Sequence, residues 1–133
     1  MIDVSFIGGN AYSPLVLAYI GDAVHATYIR CRLIEKMDKK VNDLHKLSSG
    51  YVKASAQSKV ILELMAELTE EEIAVYKRGR NAKSATVPKN ADVVDYRHAT
   101  GFEALIGYLY IEKREERLNF LLSRSFEIIQ KEK

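Results

Sequence analysis

Two acids stand out by their surroundings. Asp22 is the only Asp, Glu, Lys or Arg between Tyr12 and Ile29, inside Leu17-Ala18-Tyr19-Ile20-Gly21-Asp22-Ala23-Val24. Glu103 is the only one between Thr100 and Ile111, inside Thr100-Gly101-Phe102-Glu103-Ala104-Leu105-Ile106-Gly107-Tyr108-Leu109-Tyr110. A lone ionised carboxylate in a core costs several kcal/mol unless something compensates it, so two such acids in like settings read as one site. At helical spacing Asp22 shares a face with Ala18, Tyr19, His25 and Ala26, and Glu103 with Ala99, Thr100, Ile106 and Gly107. The neighbours are mostly small, which leaves room for close helix contact or for a hydrated ion. Magnesium takes oxygen ligands, keeps several waters, and is commonly held by one or two carboxylates plus a substrate phosphate. The residues alone leave a second reading open, in which each acid joins a polar network, Asp22 with His25 or a tyrosine. His25, His45 and His98 lack zinc spacing, and no P-loop or dinucleotide-binding glycine pattern occurs.

A second group is cationic. Net charge is only +2, but Lys77, Arg78, Arg80, Lys83 and Lys89 fall in a stretch without one acid, directly after the acidic Glu70-Glu71-Glu72. A-form duplexes present phosphates and 2′-hydroxyls at regular positions, so a rigid basic surface can recognise their shape with few base contacts. Arg78, Arg80, Lys83 and Lys89 are the candidate phosphate contacts, with Asn81 and Ser84 adding hydrogen bonds. A solvated basic loop with no ligand is the competing explanation.

The elements that must position these groups are helical. Ser13-Pro14 reads as an N-cap with proline at the first helical position, and the helix it opens should run to about Lys36. Apolar residues cover most of its circumference, which predicts a central helix whose first half is buried on nearly all sides. A short helix over 41–48 should break at Gly50, and another follows over 51–65. Thr69-Glu70-Glu71-Glu72 matches a capping box that opens a helix to about Arg80, with Ile73 and Tyr76 facing inward. An ordered surface loop over 81–89 precedes a helix from Asn90 or Asp92 to about Glu112. The last helix spans about 114–131 and buries Leu118, Leu121, Leu122, Phe126 and Ile129. No strand alternation occurs, so the fold class is all-α.

At 133 residues and 47% hydrophobic, the chain fits a single domain over 1–133 with one core. The N-terminus lacks a basic signal-peptide region, and no apolar run approaches the roughly 20 residues that span a bilayer, so a cytoplasmic protein is expected. Cys31 is the one cysteine and reads as a small buried hydrophobe.

The segment Leu17 to Val24 resembles the signature of the ribonuclease III family, and Thr100 to Tyr110 is similar to that family's second acidic segment. Arg78-Gly79-Arg80-Asn81-Ala82-Lys83 and Val87-Pro88-Lys89-Asn90 look like the compact Mini-III branch, a catalytic domain alone, with no double-stranded RNA-binding domain after Lys131. The resemblance matches Asp22 to the signature aspartate and Glu103 to the second-segment glutamate. Ala18 and Thr100 stand where ordinary members carry two further acids. It implies a ribonuclease III-like helical bundle and a magnesium-dependent endoribonuclease that leaves 5′-phosphate and 3′-hydroxyl ends on double-stranded RNA. Asp22 and Glu103 would be metal ligands. It also implies a homodimer, for which the apolar residues of the first helix offer an interface, and maturation of the 23S ribosomal RNA precursor, with a large-subunit ribosomal protein as a helper. Loss of acids at Ala18 and Thr100 keeps two alternatives in view: a non-catalytic helical double-stranded RNA-binding protein, and a dimerisation protein whose acids are structural.

Overall fold

The computed structural model describes residues 4–36, 38–83, 87–89 and 92–133. Among them are six α-helices and no strand: α1 (Pro14–Lys36), α2 (Val41–Val52), α3 (Ala54–Leu64), α4 (Glu70–Asn81), α5 (Val93–Ile111) and α6 (Glu115–Gln130), with single 3-10 turns at Gly9–Ala11 and Met65–Glu67. The all-α expectation holds.

Local chemistry sets the helix starts. Ser13 Oγ accepts from the Val16 N–H at 3.3 Å. Thr69 forms the full capping box, its hydroxyl accepting from the Glu72 N–H at 3.1 Å while Glu72 Oε1 accepts from the Thr69 N–H at 2.9 Å. Glu72 is buried and also receives Arg117 of α6 at 2.8 and 2.7 Å, so one acid caps α4 and fastens α6 to it. Asp92 caps α5 by accepting from the Asp95 N–H at 3.0 Å.

The break expected at Gly50 is instead at Lys53, whose ψ of 155° separates α2 from α3. Glycine inside a helix costs about 1 kcal/mol relative to alanine, a penalty that packing readily overrides. Continuing α2 through Gly50 carries Tyr51 into the core, where its ring stacks on Phe126 at 4.8 Å between centroids.

The buried central helix is α5 rather than α1. Between Ala99 and Leu109 every residue of α5 is buried except Glu103, which is half-buried. Helices α1, α3, α4 and α6 all pack against it. On α1 one face meets α5 through Leu17, Ala18, Gly21 and His25, but Leu15, Val16 and Tyr19 are 38, 46 and 80% exposed. The apolar residues of α1 therefore divide between the core and an uncovered strip, because the one chain supplies neighbours for one side only. Cys31 also lies on the exposed side, between buried Ile29 and Leu33, so it is not the core residue expected. No helix among the described residues is long and apolar enough to cross a membrane.

Candidate active site

Glycine sets the α1–α5 distance. A Cβ on Gly21 would lie 1.7 Å from the carbonyl oxygen of Glu103, and one on Gly107 would lie 1.9 Å from the carbonyl oxygen of Leu17. The two backbones touch at both points, an approach that only glycine permits. Asp22 follows Gly21 directly, so this contact is what brings the two carboxyl groups together.

Their carboxyl groups lie close enough for a hydrogen bond between them. Burial pushes the Glu103 pKa up to about 8, aided by that hydrogen bond and the Asp22 charge and opposed by a hydrogen bond from Gln57. Asp22 is exposed and opens the pair to solvent. The expectation that both acids share one place is thus met in the geometry, and the alternative pairing of Asp22 with His25 or a tyrosine is not what forms. Ala18 and Thr100 are buried at 7 and 9% exposure, and Thr100 Oγ1 donates back to the Tyr96 carbonyl at 2.9 Å. Neither adds charge. Among the described residues no group of three or more His, Cys, Asp or Glu gathers in metal-binding geometry.

Behind the pair lies a buried polar chain. Gln57 Nε2 is 3.4 Å from Glu103 Oε2 and 3.0 Å from His25 Nδ1, and His25 Nε2 is 3.5 Å from Ser125 Oγ. Desolvation lowers the His25 pKa to about 4, with the Asp22 charge acting the other way, so the ring is neutral at neutral pH. Gln57 was missed in the sequence. Its signal was of the same kind as that of the acids, a polar group beside the apolar Ala56, Val60, Ile61 and Leu64, with Ser58 the other polar residue buried on this helix.

Two carboxylates and no cation suit a divalent metal. Bringing them together is unfavourable while both are charged, which adds to the burial that raises the Glu103 pKa, and magnesium is a hard cation that needs few protein oxygens. The donor set fits such an ion, whose remaining positions waters and substrate phosphate would have to fill.

Arg78, Arg80 and Asn81 form the end of α4, and Lys83 follows two residues beyond it. Gly79 is pressed on α5, where its Cβ would lie 2.7 Å from Ala104 Cβ, the residue after Glu103. Arg78 and Arg80 flank that contact. Arg78 is exposed and reaches Asn10 Oδ1 at 3.5 Å, whereas half-buried Arg80 lies over the Tyr76 ring at 5.6 Å and donates to Asn81 Oδ1 at 3.0 Å. Asn81, Lys83 and Lys89 are exposed. Ser84 lies outside the described residues, as does part of the expected 81–89 loop.

Comparison with known proteins agrees with this architecture. A family model described as "Ribonuclease III domain" matches residues 15–114, which contain both acids. The chain is 53% identical over 123 residues to the Mini-ribonuclease 3 of Brevibacillus brevis, covering 92% of each. It is 56% identical over 111 residues to that of Clostridium tetani, covering 83% of this chain and 74% of the relative. A crystal structure of a protein from Fusobacterium nucleatum superposes with a TM-score of 0.79 at 32% identity, over 92% of this chain and 95% of the other.

Proposed function

The chain belongs to the ribonuclease III family, and from that premise we infer that it is an endoribonuclease of the Mini-ribonuclease 3 type, hydrolysing phosphodiesters in double-stranded RNA. The observation that carries the site assignment is the adjacent Asp22–Glu103 pair beside the Gly21 contact, where α1 and α5 touch backbone to backbone.

Asp22 and Glu103 are the residues that would hold magnesium. Bound there, the ion supplies charge stabilisation at the scissile phosphate and at the departing oxygen, and lowers the pKa of water. The protein's own part is to present two oxygen donors in fixed positions and to release the Glu103 proton as the ion enters. Water oxygen bonds to phosphorus, the bond from phosphorus to the 3′ oxygen breaks, and that oxygen takes a proton. The products carry a 5′-phosphate and a 3′-hydroxyl. With only two acids the protein would contribute few ligands, so RNA phosphate would be needed to complete the coordination and the ion would be held more weakly in the free enzyme.

Arg78, Arg80, Asn81, Lys83, Ser84 and Lys89 would hold the duplex backbone. The stacking of Arg80 on Tyr76 and the seating of Gly79 on α5 support this, because they tie the basic turn rigidly to the helix that bears Glu103. The exposed strip of Leu15, Val16 and Tyr19 on α1 supports a homodimer with two such sites, each cutting one strand. The substrate consistent with this family branch is the 23S ribosomal RNA precursor, with a large-subunit ribosomal protein as helper.

The test is incubation of the purified protein with an end-labelled RNA duplex and with each single strand, with magnesium and with a chelator. Cutting of the duplex alone, in magnesium alone, with 5′-phosphate ends is the result expected. Equal cutting of single strands, or cutting in chelator, contradicts the proposal.

A further inference from the structure

Gln57 is 2% exposed and His25 and Ser125 are each 1% exposed, so three polar side chains from α3, α1 and α6 are sealed in the core behind the acid pair. Their hydrogen-bond chemistry admits one consistent set of directions beside the Glu103 carboxyl group. The side-chain nitrogen of Gln57 only donates, so His25 Nδ1 must accept, and the neutral ring then carries its proton on Nε2. That proton points at Ser125 Oγ, whose own hydrogen goes to the Leu122 carbonyl at 2.6 Å. With one amide hydrogen committed to His25, the other is aimed at Glu103 Oε2. Each donor is used, and the chain diverges from the Gln57 amide, one hydrogen going to Glu103 and the other leading through His25 and Ser125 to the α6 backbone.

Resting on the assignment of Asp22 and Glu103 as the site, we propose that Gln57 is a positioning residue for Glu103, its amide held in orientation by His25 so that the ligand carboxylate is held in one rotamer. Core packing alone does not call for this arrangement. An apolar residue at position 57 would continue the stripe of Val60, Ile61 and Leu64, and buried polar networks are retained at no stability advantage over well-packed apolar ones. A site with only two carboxylates depends more heavily on the orientation of each. Outer partners of ligating groups typically change metal affinity or activity 10- to 100-fold when removed.

Two variants separate positioning from mere support of the fold. Gln57→Leu removes the donor to Glu103. Ser125→Ala cuts the far end of the chain and leaves the Gln57–Glu103 contact in place. Gln57→Leu is expected to lower kcat on duplex RNA roughly 10- to 100-fold with KM for RNA changed less than about twofold, and to raise the magnesium concentration for half-maximal rate about tenfold. Ser125→Ala should lose thermal stability while keeping kcat within about threefold. A folded Gln57→Leu protein that cuts like wild type at every magnesium concentration overturns the inference. If that variant does not fold, wild-type NMR decides: the Gln57 side-chain amide signals should shift on addition of magnesium alone, with His25 protonated on Nε2 throughout. Unmoved Gln57 signals, or a proton on His25 Nδ1, overturn it too. An inactive Asp22→Asn beside a normal Gln57→Leu refutes only this inference, whereas a normally active Asp22→Asn refutes the site assignment on which it rests.

Discussion

The carbonyl oxygen of Glu103 occupies the space where a Cβ of Gly21 would stand, 1.7 Å from it, so the chain immediately before one acid is in backbone contact with the other. Methylation at that point must push α1 off α5. Gly21→Ala should cost at least about 3 kcal/mol and lower Tm by more than about 10 °C, since the obstructing atoms are backbone and cannot rotate away. Gly50→Ala is the control. Its Cβ would meet only the far end of the Lys133 side chain at 2.9 Å, and alanine favours helix by about 1 kcal/mol, so that variant should be neutral or slightly stabilised. Thermal unfolding of the pair by circular dichroism checks both, and a Gly21→Ala protein as stable as wild type would contradict the close approach.

The metal-free protein should lose stability between pH 6.5 and pH 8. Glu103 holds its proton up to about pH 8 in the folded state and only to its ordinary value of 4.5 when unfolded, so the folded state binds more protons in that window and unfolding becomes easier as pH rises. His25 acts oppositely: lowered to about 4, it favours the folded state increasingly as pH rises toward its ordinary 6.5. From 4.5 to 6.5 the two effects oppose each other, and above 6.5 that of Glu103 remains. The expected fall is on the order of 1 to 2 kcal/mol. Urea unfolding across pH should show it, Glu103→Gln should abolish it, and millimolar magnesium should reduce it by replacing the proton.

Arg80→Ala with Lys83→Ala should weaken duplex binding and flatten its dependence on salt by about two units of log Kd per log salt, as two fewer phosphates are neutralised. Binding isotherms in chelator, over a range of salt concentrations, give the slope directly. An unchanged slope would remove these two residues from the interface.

How far these residues could be read in advance depended on how local their signal was. Ser13, Thr69 and Asp92 act within one turn of their own helix, and their roles follow from residue type. Asp22 and Glu103 were visible because each interrupts an apolar run. Gln57 breaks its stripe in the same way, but a neutral amide draws less notice and its partners are 32 and 46 residues distant. Gly50 misled because packing of Tyr51 outweighs helix propensity, a tertiary effect. The exposure of Tyr19 and Cys31 was hidden because hydrophobicity tells that a surface should be covered, not whether this chain or a second copy covers it.

That strip supplies a prediction of its own. Tyr19→Glu places a charge at its most exposed point without touching α5, so sedimentation should show dimer for wild type and monomer for the variant, with duplex cleavage lost alongside. A monomeric wild type that cuts at full rate would dispose of the dimer.

The most direct measurement compares the cleavage of one labelled RNA duplex by wild-type, Asp22→Asn and Glu103→Gln proteins of equal helicity, in magnesium. Both substitutions keep size and hydrogen-bonding capacity and remove a negative donor. Loss of cutting by at least about a thousandfold in each, with duplex affinity in chelator unchanged, is the outcome predicted for a metal site built on this pair. Cutting at the wild-type rate by either variant would contradict it.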